Sequence, residues 1–578
     1  MMPPDPFGME ISRHIWKTRY RAAGEADIQA TWQRVAHAIA AAENQNVALW
    51  AERFYRLLAD FRFLPGGRIL AGAGTGHRVT LFNCFVMGDI ADDLEHIFEA
   101  LKEGALTMQH GGGVGYDFST LRPAGMAAAA TGSIASGPVS FMHIWDAMCA
   151  TLLSTGARRG AMMATLRCDH PDIETFIDAK RDPAVLRHLN LSVQVSDAFM
   201  AAVADDRDWP LVFPGLADVR TLKARDLWQR ILRAAYDTAE PGVLFVDAIN
   251  RDNTLADRET LTTTNPCGEI PLPPYGACDL GSLNLAAFVV SPFAADARLD
   301  LDALADAARL AVRFLDNVID VSHFPLLAQA EQARQTRRIG LGITGLADAL
   351  VLLGLRYDSE AARTLAAQTL QILRDAAYRA SIALAKERGA FPSFKREAYL
   401  ARGFATRLPT DIRGAIAAHG IRNSHLLAIA PAGTISLLAN NCSSGIEPIF
   451  AAEAVRRVLD VNGRYRSYRV TDFALHRWRQ LGHAGTPPAF VEARQIDPLA
   501  HLQMQAALQP CVDNAISKTI NVAADIPYER FEAIYRQAHA LGLKGCTVFR
   551  PNPVTGAILS QPPASAQVRC CSLEREAD

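Results

Sequence analysis

The chain has 578 residues, 49% of them hydrophobic, with a formal net charge of -2 and a pI near 6.7. Length and apolar content exclude disorder for most of it and permit a large buried core. The near-neutral balance gives no electrostatic footprint for a nucleic-acid polymer, so any phosphate site must be local.

The opening MMPPDPFGMEISRHIW lacks a basic segment followed by an apolar core. No run reaches the roughly 18 apolar residues of a membrane span, so a cytoplasmic protein without membrane contact is expected. Ten cysteines are scattered without C-x-x-C spacing, which disfavours a disulfide scaffold or structural metal site and favours reduced thiols.

In chain order, Trp32, Val35, Ile39, Leu49, Trp50, Phe54 and Leu57 recur at helical spacing, predicting a helical region over 1–60. A β-type run at 79–86 follows, carrying Asn83 and Cys84. The stretch QHGGGVGYDFS, 109–119, has four glycines; it suits either close approach of backbone to a ligand or a plain flexible turn. It lacks the ending of a P-loop, and no clear strand precedes it. Helical patterns then alternate with short β-like runs at 189–195, 243–246 and 425–429. That alternation predicts an α/β architecture in one large domain over 61–550. Residues 551–578 are rich in Pro, Ala, Ser and Gly, the composition of a tether, and carry adjacent thiols, Cys570 and Cys571.

Two stretches within the large domain carry candidate chemistry. In TNPCGEIPLPPYGACDL, 264–280, Asn265, Cys267 and Glu269 alternate with Pro266 and Gly268. An extended backbone turns alternate residues the same way, so an amide, a thiol and a carboxylate would share one space. There a thiol serves as nucleophile or hydrogen-atom carrier and a carboxylate as base. On residue type alone, Pro and Gly equally make a turn and Cys equally makes a small buried hydrophobe. The second stretch, PAGTIS at 431–436, follows the β-like HLLAIA. It suits a helix start whose N–H groups bind phosphate, or a simple N-cap by Thr434 or Ser436.

The string NPCGE resembles the finger loop of ribonucleotide reductases. LFNCFV, HGGGVGYDFS, SGPVSFM, RRGAMM, RRIGLGITGLADAL, APAGTIS and NAISKTINV resemble other segments of that family, in family order, over roughly 60–550. The resemblance implies a ten-stranded α/β barrel of two antiparallel halves with the loop threading its centre. It implies that Cys267 carries a thiyl radical, that Glu269 takes the 3'-hydroxyl proton and that Asn265 orients the sugar. Cys84 and Cys278 match the pair of thiols that becomes a disulfide in each turnover. Asn83, Cys84, Gly113 and the loop Asn265, Pro266, Cys267, Gly268 and Glu269 would contact substrate. Pro431, Ala432, Gly433, Thr434 and Ile435 would hold its phosphates.

The same resemblance matches Asp92 and Arg122 to a second nucleotide site for a dNTP or ATP effector, although both equally suit solvated surface charges. It makes Cys570 and Cys571 candidates to relay electrons from a thioredoxin- or glutaredoxin-type reductant. These two are adjacent, whereas the family commonly separates them by several residues. A homodimer is expected, with a ribonucleotide as substrate and a diphosphate favoured. Thr547 and Val548 stand where a partner-dependent large subunit has paired tyrosines, and a glycyl-radical tail is missing. Adenosylcobalamin is therefore the expected cofactor. The string Asp-x-His-x-x-Gly is absent, so no protein histidine is expected on its cobalt.

Overall fold

The computed structural model describes residues 6–127, 134–154, 158–182, 184–459 and 465–551; the tail with Cys570 and Cys571 lies outside them. Three helices open the chain: α1 (Glu10–Ile15), α2 (Ile28–Ala40) and α3 (Val47–Leu58). Asp27 starts α2 by accepting a hydrogen bond from Ala30 N at 2.9 Å, the usual service of an N-cap carboxylate. The apolar faces foreseen at Trp32, Val35, Ile39, Phe54 and Leu57 are buried. They pack on a longer helix, α4 (Leu301–Val321), where Phe54 meets Phe314 edge-on at 5.2 Å. A buried carboxylate reinforces the seam: Glu43 pairs with Arg313 at 2.6 Å and also with Arg388.

The body is organised on a ten-stranded sheet. Its strands are β1 (Phe63–Pro65), β2 (Cys84–Val86), β3 (Gly113–Asp117), β4 (Met162–Arg167), β5 (Leu189–Val195), β6 (Gly242–Phe245), β7 (Ala277–Asn284), β8 (Ile339–Thr344), β9 (Thr519–Asn521) and β10 (Gly545–Phe549). Strands β2 to β6 are parallel neighbours in chain order. At one side β6 meets β10 antiparallel, and β10 runs parallel to β9. At the other, β2 meets β7 antiparallel, and β7 runs parallel to β8. Isolated parallel bridges join Leu341 of β8 to Leu427, and Ile429 to Ile516 just before β9. β7 and β8 are buried along their whole length, as expected of strands covered on both faces.

Three sequence expectations are corrected. Only Cys84–Val86 of 79–86 is strand; the preceding residues form irregular backbone, with Leu81 N donating to Ser322 Oγ. The glycine stretch is not a flexible turn, because Gly113–Asp117 is an inner strand. Residues 425–429 contribute bridges, not a continuous strand.

Candidate active site

The stretch 264–280 is folded back on itself. Thr263–Thr264 pairs antiparallel with Pro271–Leu272, and Asn265 N donates to Ile270 O at 3.3 Å. Between them the backbone turns at Pro266 and Cys267, and Gly268 takes φ +86°, a conformation that suits residues without a Cβ. The expected extended alternation is thus replaced by a tight loop. It gathers Asn265 and Glu269 at the base and sets Cys267 at the tip. Of the eight described cysteines, Cys267 alone is not buried.

The glycines of β3 make room for this loop. A Cβ on Gly115 would stand 1.9 Å from Thr264 O, and one on Gly113 would stand 3.2 Å from Pro266 Cγ. Gly113 therefore lies under the loop. From β5, Asn190 Nδ2 donates to Pro266 O at 3.0 Å, and Ala515 N donates to Glu269 O at 2.9 Å. The loop is held from both sides of the sheet.

Beneath the tip lies a buried polar cluster. Asn265 Nδ2 donates to Glu269 Oε1 at 2.8 Å and contacts Cys84 Sγ at 3.1 Å. Cys84 Sγ in turn lies 3.7 Å from Glu269 Oε1. Asn265 is held by Ile270 N and Thr264 Oγ1, which both donate to its Oδ1 at 3.0 Å. Burial pushes Glu269 up to about 7, against the opposing pull of its hydrogen bonds. Its Oε2 is buried and has no hydrogen-bond partner among the described residues.

Cys84 and Cys278 are direct cross-strand partners of β2 and β7. Such partners have Cα atoms roughly 4.5–5.5 Å apart, inside the range a disulfide needs. Residues 194 positions apart in sequence are thereby set in one rung. Burial raises both thiols well above the usual range, and for Cys84 the nearby Glu269 adds to the effect. Both are therefore protonated at neutral pH.

Cys267 opens on a cleft of about 300 Å³, whose wall includes Pro266, Gly268, Pro431, Gly433, Ser436 and Thr547. PAGTIS does end in a helix, α5 (Gly433–Leu438), but no side chain caps it. Ser436 Oγ donates to Gly433 O instead, which removes the simple N-cap reading. Asn83 is absent from the cleft wall, and its side chain lies against Gly66. Asp92 and Arg122 also lie away from the cleft wall and pair with each other at 2.6 Å.

Sequence reading missed three residues here. Asn190 anchors the loop tip, and its signal was a polar residue, like Ser192 and Gln194, alternating with apolar ones in LNLSVQV. Buried Lys518 and half-buried Glu447 line the cleft as an ion pair. Glu447 also accepts from Thr519 N at 2.8 Å, and Lys518 contacts His501 Nδ1 at 3.0 Å. Seventy-one residues separate the two charges, so no local pattern announces the pair.

Residues 82–549 match the family model described as ribonucleotide reductase, barrel domain, and residues 8–78 match the all-alpha domain. A vitamin B12-dependent ribonucleoside-diphosphate reductase of Mycobacterium tuberculosis is 42% identical over 552 residues, covering 91% of this chain and 76% of that protein. One from Thermoplasma acidophilum is 38% identical, covering 88% of this chain and 66% of its own length. A ribonucleoside-diphosphate reductase subunit alpha of Chlamydia muridarum is 29% identical over 73% of this chain and 45% of that subunit.

Proposed function

This chain belongs to the ribonucleotide reductase family, and from that premise we propose that it reduces ribonucleoside diphosphates to 2'-deoxyribonucleotides through a thiyl radical on Cys267, with adenosylcobalamin as cofactor. One observation carries the reading: the only unburied described cysteine stands at a loop tip above a buried carboxylate, amide and thiol pair.

The roles follow from the chemistry. Removing a ribose 2'-hydroxyl needs activation at a carbon with no acidic proton, so Cys267 takes the 3'-hydrogen as an atom and gives it back to C3' at the end of the turnover, which restores its radical. Glu269 accepts the 3'-hydroxyl proton; its partnerless Oε2 supports this, as does a pKa close to neutrality. Asn265 holds Glu269 in place and orients the sugar. The 2'-oxygen leaves as water, and Cys84 and Cys278 supply two electrons and two protons as they join in a disulfide. An external thiol then restores the pair by exchange.

The cleft suits the cofactor. The cleft wall mixes amide and hydroxyl groups of Asn441, Ser443 and Ser444 with the apolar Ile449, Phe450 and Ala454. These residues would hold a large, amide-rimmed group. The chemistry adenosylcobalamin supplies when bound is radical initiation at the mouth where Cys267 is exposed.

The wider reading includes phosphate binding by Pro431 to Ile435 and an effector site at Asp92 and Arg122. It includes a tail relay through Cys570 and Cys571 serving a thioredoxin- or glutaredoxin-type reductant, and a homodimer. It also divides the chain at 1–60, 61–550 and 551–578, and closes the sheet into a barrel around the loop. The bridges from Leu341 to Leu427 and from Ile429 to Ile516 support that closure.

Cys267→Ser tests the core of the reading. The hydroxyl fits the same space, but its stronger O–H bond does not yield a radical by this route. Nucleotide binding is expected to stay within about threefold, well under 1 kcal/mol, while deoxynucleotide formation disappears. Measurable product from the variant would remove Cys267 from its role.

A further inference from the structure

Lys544 stands at the bend that leads into β10 and is only 3% exposed. A buried ammonium must find an acceptor for each of its three N–H groups. One is the Asp252 carboxylate at 2.9 Å. The others are backbone carbonyls of one short segment: Lys544 Nζ donates to Asp513 O at 2.9 Å and to Asn514 O, with Val512 O at 3.5 Å. Asp252 also pairs with Arg407 at 2.5 Å.

The segment held in this way supports the candidate active site. Its side chains are tied to the stretch that bridges β8. Asp513 accepts from Leu426 N and Leu427 N, each at 2.8 Å, and from Tyr378 Oη at 2.7 Å. Asn514 Nδ2 donates to Leu427 O at 2.9 Å. Carbonyls on one side and side chains on the other are thus engaged, and the next backbone group, Ala515 N, donates to Glu269 O at 2.9 Å. Ala515 itself lies in the cleft wall. The titratable groups that face the Glu269 carboxyl are the thiols of Cys84 and Cys278, from β2 and β7.

We propose that Lys544 is a positioning residue for Glu269: by holding the carbonyls of Val512, Asp513 and Asn514 it fixes Ala515 N, which pins the loop backbone at Glu269 and keeps that carboxyl away from water. The proposal rests on the reading of Glu269 as the base. An ammonium suits the task because its three donors diverge from one compact centre, whereas a guanidinium spreads its donors over a plane.

The test removes the grip without leaving a buried charge behind. Lys544→Met is combined with Asp252→Asn in the full chain, which leaves the half-exposed Arg407 to water. Deoxynucleotide formation is followed against pH with dithiothreitol and adenosylcobalamin, beside a thermal melt. Turnover is expected to fall about 10- to 100-fold at an unchanged KM, the scale of a small misplacement. The acid limb of kcat/KM is expected to move down from near 7 toward the ordinary carboxylate range as water reaches Glu269. A lower melting temperature with the limb in its wild-type place makes Lys544 a structural residue only and overturns the proposal. Wild-type turnover overturns it as well. Lys544→Arg keeps the charge beside Asp252 and decides the case if the double variant does not fold. A loss of about fivefold in kcat with the same downward movement of the limb is expected there, and a limb left in its wild-type place overturns the proposal. Glu269→Gln separates the two layers. If the limb survives in that variant, the base reading fails and the positioning falls with it; if it vanishes there but keeps its place in the Lys544 variants, the positioning alone fails.

Discussion

Glu269 shows how burial sets chemistry at a single residue. Its carboxyl is buried with one oxygen held by Asn265 and the other without a partner among the described residues, and burial lifts it to about 7. A base must be ionised to act, so kcat/KM is expected to rise with pH through an acid limb centred near 7. Replacement by Gln should remove that limb and lower the rate by about 10²- to 10⁴-fold. Stability runs the other way. The folded value lies above the model-peptide one, so this group's contribution is full below about 4.5 and is lost as pH rises through about 7. A pH–rate profile of the wild type and Glu269→Gln checks this; an acid limb that survives unchanged in the Gln variant contradicts the base assignment.

At the scale of elements, the loop and the glycine strand beneath it form one device. An added Cβ at Gly115 meets the backbone of Thr264 at 1.9 Å, whereas one at Gly113 meets the ring of Pro266 at 3.2 Å and Asn83 O at 3.4 Å, distances just tighter than ordinary contact. Gly115→Ala is therefore expected to displace the loop and cost at least about 10²-fold in kcat, the scale of an ångström's misplacement. Gly113→Ala should cost no more than about tenfold. Steady-state rates beside thermal melts test the ranking, and equal effects at the two positions would contradict it. Much of this level was legible from the chain. The spacing of Trp32, Val35 and Ile39 announced α2, and the β-like run at 189–195 announced β5. The loop's shape was not legible, because alternation of Asn265, Cys267 and Glu269 suits an extended strand equally well until Gly268 adopts positive φ. Nor was the strand at Gly113–Asp117, since glycine carries little strand propensity and the reason for it lies in a loop some 150 residues away. Lys518 and Glu447 escaped for the same cause: their pairing exists only after folding.

The whole molecule joins three runs of parallel strands, β2 to β6, β7 with β8 and β9 with β10, by antiparallel contacts between β2 and β7 and between β6 and β10. That junction has a chemical consequence, because Cys84 and Cys278 face one another across the first of these contacts. No local signal pairs these thiols; in the sequence only family resemblance did. The helical N-terminal region leans on α4 through Phe54 and Glu43, on the outside of this arrangement. Among the described residues no helix is long and apolar enough to cross a membrane.

On the proposed function, this chain needs adenosylcobalamin to raise a radical on Cys267. Thr547 and Val548 sit on β10, with Thr547 in the cleft wall, and neither side chain passes a radical as a tyrosine does. The most direct measurement is deoxynucleotide formation by the purified chain without air, with a ribonucleoside diphosphate and dithiothreitol, with and without adenosylcobalamin. Product only when adenosylcobalamin is added is the predicted result. Full activity without added or copurified cobalamin, or a strict requirement for a second, metal-bearing subunit, would contradict it.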